Sequence, residues 1–544
     1  MIMKSYKIEI GNPKKDGEFI IYGFSAGIKD EKEHFRRANV ISCLRLPLAS
    51  ENILRFKIKV PDNQCIHFFL DDKEVHKVEI KELNCWKNIE FKIKPERKKE
   101  YHNLKIICEN FIYYGRMENC FYLAEIEIKT DKEIPHFRKI TETKSKSLSI
   151  VEKGEIYFGD LHIHSSFSPC GRDRNGTPEE NLDYCIDKGN FDFASITDHA
   201  ENLVSEKTWS KLLKIIEKYN KEGFFVTIPG YEWTSDLYGH RNVYLAKCYE
   251  KIFHCMDPIS SSPKKLWLSL KEENQKAITV PHHPSLAHFP VCWDEHDEEY
   301  QPLVEICSNW GSSEFYDSKS PAKIYNVAGI SVQDALIKGL KLGFAGGSDG
   351  HDRPPGTGGL TGVFAENLTR EEIFESLKNR RCYATTGAKI KLYFIMNNLL
   401  TMGDEIVVNP YQFESLYPLI FYISVEGTAP IERIDLLENN QVIFSYDENY
   451  RNYNTWSSFL KDKEFFRVEK RMDEFVCLEI PVFSPLRWYQ SFSPRNNLIF
   501  DPRLPNHTKF YYVRVKQKDG HMAWSSPIWI TCKIEECERV KIPY

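Results

Sequence analysis

Histidines and carboxylates at short fixed spacings are the parts of a metal site, and the middle of this chain is rich in them. Asp160-Leu-His162-Ile-His164 carries two imidazoles at i and i+2. Alternate side chains of a strand share a face, so Asp160, His162 and His164 point one way and the imidazoles form half of a metal site. Asp349-Gly-His351 repeats the spacing after Phe344-Ala-Gly-Gly-Ser348, a backbone able to turn sharply and approach a ligand. Alone, each motif reads equally well as a half-buried strand or a plain glycine-rich turn. Four more groups accompany them: Thr197-Asp198-His199, Gly230-Tyr-Glu232, Gly239-His240 and Pro281-His282-His283-Pro284. Ten of the 17 histidines fall between His162 and His351, more than an even spread would place there.

These groups need elements to position them. Short apolar runs precede most of them: Ile156-Tyr-Phe158, Phe193-Ala-Ser-Ile196, Phe224-Phe-Val-Thr-Ile228, Ala277-Ile-Thr-Val280 and Leu342-Gly-Phe-Ala345, with Leu303-Val-Glu-Ile306 as a further run. Helices are predicted between them. Thr177-Pro-Glu-Glu180 and Thr369-Arg-Glu-Glu372 have the Ser/Thr-x-x-Glu form of a capping box, and Trp209, Leu212, Leu213, Ile216 and Tyr219 form an apolar stripe. Alternating strands and helices over residues 155–390 predict an α/β unit with a largely parallel core. In parallel α/β barrels the carboxyl ends of the strands carry the active site. Ligand-type residues beyond five predicted strands are the strongest internal sign of one.

The flanks read differently. Residues 1–130 hold period-two runs such as Leu54–Val60, Asn88–Lys94 and Phe121–Ile128, which predict a β-sandwich or jelly roll. Residues 131–154 are polar and read as a linker. Residues 391–544 return to strand patterns, including the runs around Glu438-Asn-Asn440 and Asp519-Gly520, and predict a second β-sandwich. The 544 residues allow each unit a core of its own.

Composition narrows the function classes. The formal charge of −5 argues against a chain devoted to wrapping nucleic acid. No apolar run approaches the roughly 20 residues that span a bilayer, and no secretory leader is visible. Fifteen cysteines without a Cys-x-x-Cys pair suit a reduced, cytoplasmic protein rather than a disulfide framework.

The set His162-x-His164, Asp198-His199, Glu232, His240, His282-His283 and Asp349-x-His351 resembles the PHP (polymerase and histidinol phosphatase) superfamily. More narrowly, several segments resemble the metallohydrolase family that contains bacterial carbaryl hydrolases. They are Gly159–His164, Gly230-Tyr-Glu-Trp-Thr-Ser235, Gly239-His-Arg-Asn242, Tyr383-Ala-Thr-Thr-Gly387, Tyr511-Tyr-Val-Arg-Val515 and Ala523-Trp-Ser-Ser526. The resemblance implies a distorted (β/α)7 barrel over residues 155–390, flanked by the two β-sandwiches, and two or three divalent ions (zinc, manganese or iron). His162, His164, Glu232 and Asp349 would hold one ion. Glu232 would bridge to a second, with His240 and His282 or His283. His199 and His351 would hold a third with the residue six after His164. In relatives that residue is aspartate or histidine; here it is Cys170, with Asp173 as the one nearby competitor. As a thiolate ligand, Cys170 would favour zinc or iron over magnesium or manganese. Otherwise it is a small half-buried cysteine beside a two-metal site.

The implied activity is a hydrolase using a metal-bound hydroxide, with Glu232 and Asp349 in the catalytic set and His199 or His283 protonating the leaving group. A phosphoester is the first expected substrate, a small molecule or nucleotide; a carboxyl ester or carbamate is the alternative. Arg241 and Arg353 would supply cations for the first. Trp233, Tyr238, Trp293 and Trp310 would supply an apolar wall for the second. A non-catalytic, metal-stabilised binding protein is a third reading from another class. His254, His288 and His296 read as surface residues, and Cys307 as a core residue. A nucleic-acid substrate is not favoured, and self-association is left open.

Overall fold

The structure is a computed structural model. It describes residues 3–532 except 12–18, 25–27, 30–32, 72, 97–101, 111, 115–116, 131–144, 169, 171–174, 317, 319–326, 352, 409–415, 417–418, 448–466 and 483–507. Most of the expected linker, and Asp173, lie outside the described residues.

Period-two patterning governs the first region. The strand Asn52–Lys59 alternates buried and half-buried side chains throughout, so Leu54, Phe56 and Ile58 enter the core while Arg55 and Lys57 face outward. Antiparallel neighbours continue it into a ten-stranded sheet system around a core of its own. The next segment, Lys146–Lys153, is a helix inside the expected linker. Ser145 caps it by accepting from Leu148 N, and Ser147, Leu148 and Val151 are its buried residues. Three apolar residues, Leu148, Ile150 and Val151, among lysines and serines leave too faint a pattern to read.

The central region corrects the expected architecture. No (β/α)7 barrel forms among the described residues; β-structure dominates and is divided among separate sheets. Glu155–Ile163 pairs in parallel with Phe193–Ile196, which pairs in parallel with Val226–Thr227. On its other edge, Glu155–Ile163 meets Leu360–Ala365 antiparallel. Gly230–Trp233, Arg241–Leu245 and Ala277–Pro281 form an antiparallel sheet of three. Leu303–Ser308 and Gly343–Gly346 form a parallel pair in another sheet. Connection length explains part of the difference. A parallel crossover needs roughly a dozen residues or more, whereas Trp233 and Arg241 are joined by residues 234–240 alone.

The C-terminal strands do not stand wholly apart. Cys382–Thr385 pairs with Met522–Ser525, so one sheet runs from the central region into the last. The remaining C-terminal strands include a five-stranded sheet, and the two sheets share a core containing Phe394, Phe421, Tyr511 and Ile530. No helix among the described residues is long and apolar enough to cross a membrane.

Candidate metal centre

Three sheets deliver the ligand-type residues to one place. His162 lies near the end of Glu155–Ile163 and His164 just beyond it, with their rings 5.2 Å apart. An isolated bridge joins Ile163 to Gly350, and Asp349 N donates to His162 O at 2.9 Å. A second bridge joins His199 to Glu232, and Glu232 N donates to Asp198 O at 3.0 Å. These backbone links place the loop after one strand against the end of another. His283 and Asp349 both have positive φ, 34° and 44°. Non-glycine residues rarely adopt such values, and they cluster at functional sites.

The carboxylates sit between two sets of imidazoles. Glu232 Oε2 is 3.2 Å from His164 Nε2 and 3.7 Å from His162 Nε2. Asp349 Oδ1 is 3.4 and 3.6 Å from the same two atoms. The other oxygen of Glu232 faces His240 Nδ1 at 2.8 Å and His282 Nε2 at 3.3 Å. His283 stands further out, its Nε2 4.0 Å from Asp349 Oδ2. Donors about 2.1 Å from one ion lie roughly 3.0–3.5 Å from each other, so the spacing suits metal ligation. The polar inventory agrees. Nε2 of His162, His164 and His240, both ring nitrogens of His282, and Nδ1 of His283 are buried without hydrogen-bond partners. Buried polar atoms are normally partnered, and ions among them would satisfy these. The residues fit the group that the resemblance implies.

A third cluster lies toward the mouth. Donor atoms of His164, Cys170, His199 and His351 all fall within 4.8 Å of one another. His164 Nδ1 is 3.8 Å from Cys170 Sγ and 3.3 Å from Ser168 Oγ.

The charges respond to this crowding. Burial alone would raise Glu232, but the imidazolium charges around it, His199 first, hold it well below the usual carboxylate range. Burial would lower His162, but Asp349 and Glu305 push it up to about 10. His283 goes the other way: burial, together with the charge of His240, lowers it to about 4 against the pull of Asp349. Burial opposes the Cys170 thiolate, yet hydrogen bonds from His164, His199 and His351 bring it down to about 3.

Supporting residues were not all foreseen. Glu305 Oε2 lies 2.9 Å from His162 Nδ1. Its sequence signal was an acid inside the otherwise apolar run Leu303–Ile306. Asp160 is engaged by backbone instead. Its carboxylate accepts from the backbone N–H groups of His162, Ser348 and Gly356, pinning both ligand loops. Asp198 likewise accepts from Ser165 N and Oγ. Gly347 permits the close approach: a Cβ there would stand 2.5 Å from His162 Cβ and 2.6 Å from Glu305 Oε2.

The expected substrate groups separate. Arg241 pairs with Trp233 in register while Asn242 pairs with Glu232, so Arg241 and Trp233 lie on the face away from the carboxylate. Arg241 Nε donates to Gln301 Oε1 and Nη1 to the carbonyls of Tyr238 and Gly239, while Nη2 is buried without a partner. Trp293 is buried in another core. Arg353 is exposed and donates to Asn309 Oδ1 at 2.6 Å. Trp310, 37% exposed, lies 6.5 Å from the His283 ring and 6.0 Å from the His351 ring. Phe289, unforeseen, lies 4.4 Å from the His240 ring. His288 is exposed, His254 and His296 are half-buried, and Cys307 is in the core.

Comparison with known proteins places the chain beside others without a described activity. A family model described as a protein of unknown function (DUF3604) matches residues 184–304 and 328–409, just over a third of the chain. That span includes His199, Glu232, His240, His282, His283, Asp349 and His351. An uncharacterized protein of Chlamydia pneumoniae is 27% identical over 387 residues, covering 65% of this chain and 55% of its own length. One from Chlamydia trachomatis is 26% identical over 385 residues, with 66% and 55% covered. The chain thus spans about half the length of these relatives. Among solved structures, a family 35 carbohydrate binding module from an environmental isolate is 12% identical, covers 23% of this chain and 93% of its own, and has a TM-score of 0.17. A two-domain esterase active on acetylated mannans is 17% identical, with 24% and 37% covered and a TM-score of 0.19. Likeness at that level carries no argument.

Proposed function

We propose that this chain is a metal-dependent hydrolase that cleaves an ester bond. The observation that carries the reading is the convergence of partnerless, buried imidazole nitrogens on Glu232 and Asp349. The likeness to the PHP superfamily supports it as a likeness of ligand set, without the barrel. His162, His164, Glu232 and Asp349 would hold one ion, and Glu232, His240 and His282 a second. When bound, such ions supply a water of near-neutral pKa and a counter-charge for the attacked centre.

The chain's own residues do the rest. Glu305 fixes the tautomer of His162, leaving Nε2 to face the carboxylates. Asp160 and Asp198 hold the ligand loops in place. His283 Nε2 lies 4.0 Å from Asp349 Oδ2 and burial holds the ring neutral at pH 7, so it could hold the proton exchanged between water and leaving group.

The substrate surroundings favour an uncharged carboxyl ester or carbamate. Trp310 and Phe289 stand against the ligand imidazoles, and Arg241 turns away. A phosphoester is the second reading, for which the exposed Arg353, bonded to Asn309, would supply a cation. Glu232→Gln tests the assignment. It is expected to abolish hydrolysis and lower metal content; retention of both would sink it. Full metal content with no turnover on carbamates, carboxyl esters or phosphodiesters would point instead to a binding protein.

A further inference from the structure

A donor cluster of another make-up stands in the first β region, outside the residues that the family model matches. Strand Gln64–Leu70 sends Ile66, Phe68 and Leu70 into the core. Side chains alternate along a strand, so Cys65 and His67 share the opposite face at i and i+2. Glu109 follows the neighbouring strand His102–Cys108, and its N–H donates to Cys65 O at 3.1 Å. That bond sets Glu109 beside Cys65, with its carboxylate against the His67 ring.

The distances suit a ligand set. His67 Nε2 is 3.8 Å from Cys65 Sγ and 2.8 Å from Glu109 Oε1, and the three donor atoms lie within 4.8 Å of one another. Tetrahedral zinc, with bonds of roughly 2.0–2.3 Å, sets its donors about 3.4–3.6 Å apart. A small swing of Glu109, 52% exposed, meets that spacing. Behind the ring, Nδ1 faces Glu74 Oε1 at 3.0 Å. A metal-binding histidine usually holds a carboxylate on its other nitrogen, which fixes the tautomer. Two glutamates alone would account for a charged imidazole. They do not account for a thiol on the nitrogen that Glu109 also meets. Thiolate with imidazole favours zinc over manganese or magnesium. Lys77 Nζ, 3.4 Å from Glu109 Oε1, competes for the carboxylate. That pair is solvent-exposed and contributes little, so an ion can displace the lysine.

We propose that Cys65, His67 and Glu109 bind a zinc-class ion that fastens strand Gln64–Leu70 to the end of strand His102–Cys108. The site is separate from the central cluster and does not depend on the hydrolase reading.

The test uses the full chain with Cys170→Ser as the background, so that sulfur in the central cluster cannot contribute. Stripped of metal and titrated with cobalt(II), this protein is expected to show a thiolate-to-cobalt absorption band in the near ultraviolet. Adding Cys65→Ser should abolish the band. Zinc retained per chain after dialysis should fall by one between the background protein and the double variant, with circular dichroism unchanged. His67→Gln, at a half-buried outward position, should give the same two losses if Cys65→Ser disturbs the fold. No band in the background protein, a band that survives both substitutions, or equal zinc content in the three proteins would overturn the proposal.

Discussion

Glu305 Oε2 lies 2.9 Å from Nδ1 of His162, and Nε2 of the same ring faces Glu232 and Asp349. A buried acid thus fixes the tautomer of this candidate ligand from behind. Burial raises Glu305 to about 7 against the charge of His162.

Glu305→Gln keeps the shape of the side chain but loses its charge. Loss of such a supporting carboxylate typically costs 10–100-fold in metal affinity or activity. Metal affinity of the variant by competition with a chromogenic chelator is expected to fall about tenfold or more, with the fold intact. Unchanged affinity would mean that Glu305 does not orient His162.

Metal affinity should rise with pH. His162 is raised to about 10 and His164 is also raised, so both hold protons at neutral pH that an ion must displace. Each displaced proton is worth about 1.4 kcal/mol per pH unit. Between pH 6 and 8, affinity for the inner ions should increase more than tenfold per pH unit. Proton release can be measured calorimetrically in buffers of different ionisation enthalpy. A flat profile would contradict the protonation scheme.

The C-terminal sheet grips the hairpin that carries Trp310. Glu314 accepts from Tyr512 OH at 2.8 Å, Arg514 Nη1 at 3.0 Å and Trp524 Nε1 at 2.9 Å. Removing one partner of a buried ion pair typically costs about 3–5 kcal/mol. Glu314→Ala should therefore lower stability in urea by a few kcal/mol. Loss below about 1 kcal/mol would show that solvent replaces the carboxylate readily.

Trp310→Ala separates the two substrate readings. If the ring walls an uncharged substrate, KM for an aryl carbamate should rise several-fold with kcat little changed. Arg353→Ala should leave that substrate unaffected. A loss confined to phosphodiester hydrolysis in Arg353→Ala would reverse the preference.

The ligand-type residues were legible because metal chemistry needs particular side chains, and their spacing survives without knowledge of the fold. Helix starts at Thr177 and Thr369 were legible too, since capping is local: each side chain accepts from the N–H three residues on. The barrel was not. Strand order and direction depend on long-range pairing, and here Leu360–Ala365 joins the first central strand antiparallel.

Arg241 shows how register decides a role. Beside His240 in sequence, it reads as a site cation; in the sheet, neighbours alternate faces, and it points toward Trp233. Tyr511–Val515 and Ala523–Ser526 stood out as motifs without a task until Tyr512, Arg514 and Trp524 met on Glu314.

By itself, the sequence determined the donor types, the local caps and the β character of both flanks, because those follow from side-chain chemistry and short-range periodicity. Tertiary structure alone decided which donors lie together, which nitrogen of each buried imidazole is left without a partner, and which aromatic rings stand beside them. Those properties arise from contacts between residues far apart in the chain, such as His162 with Glu305.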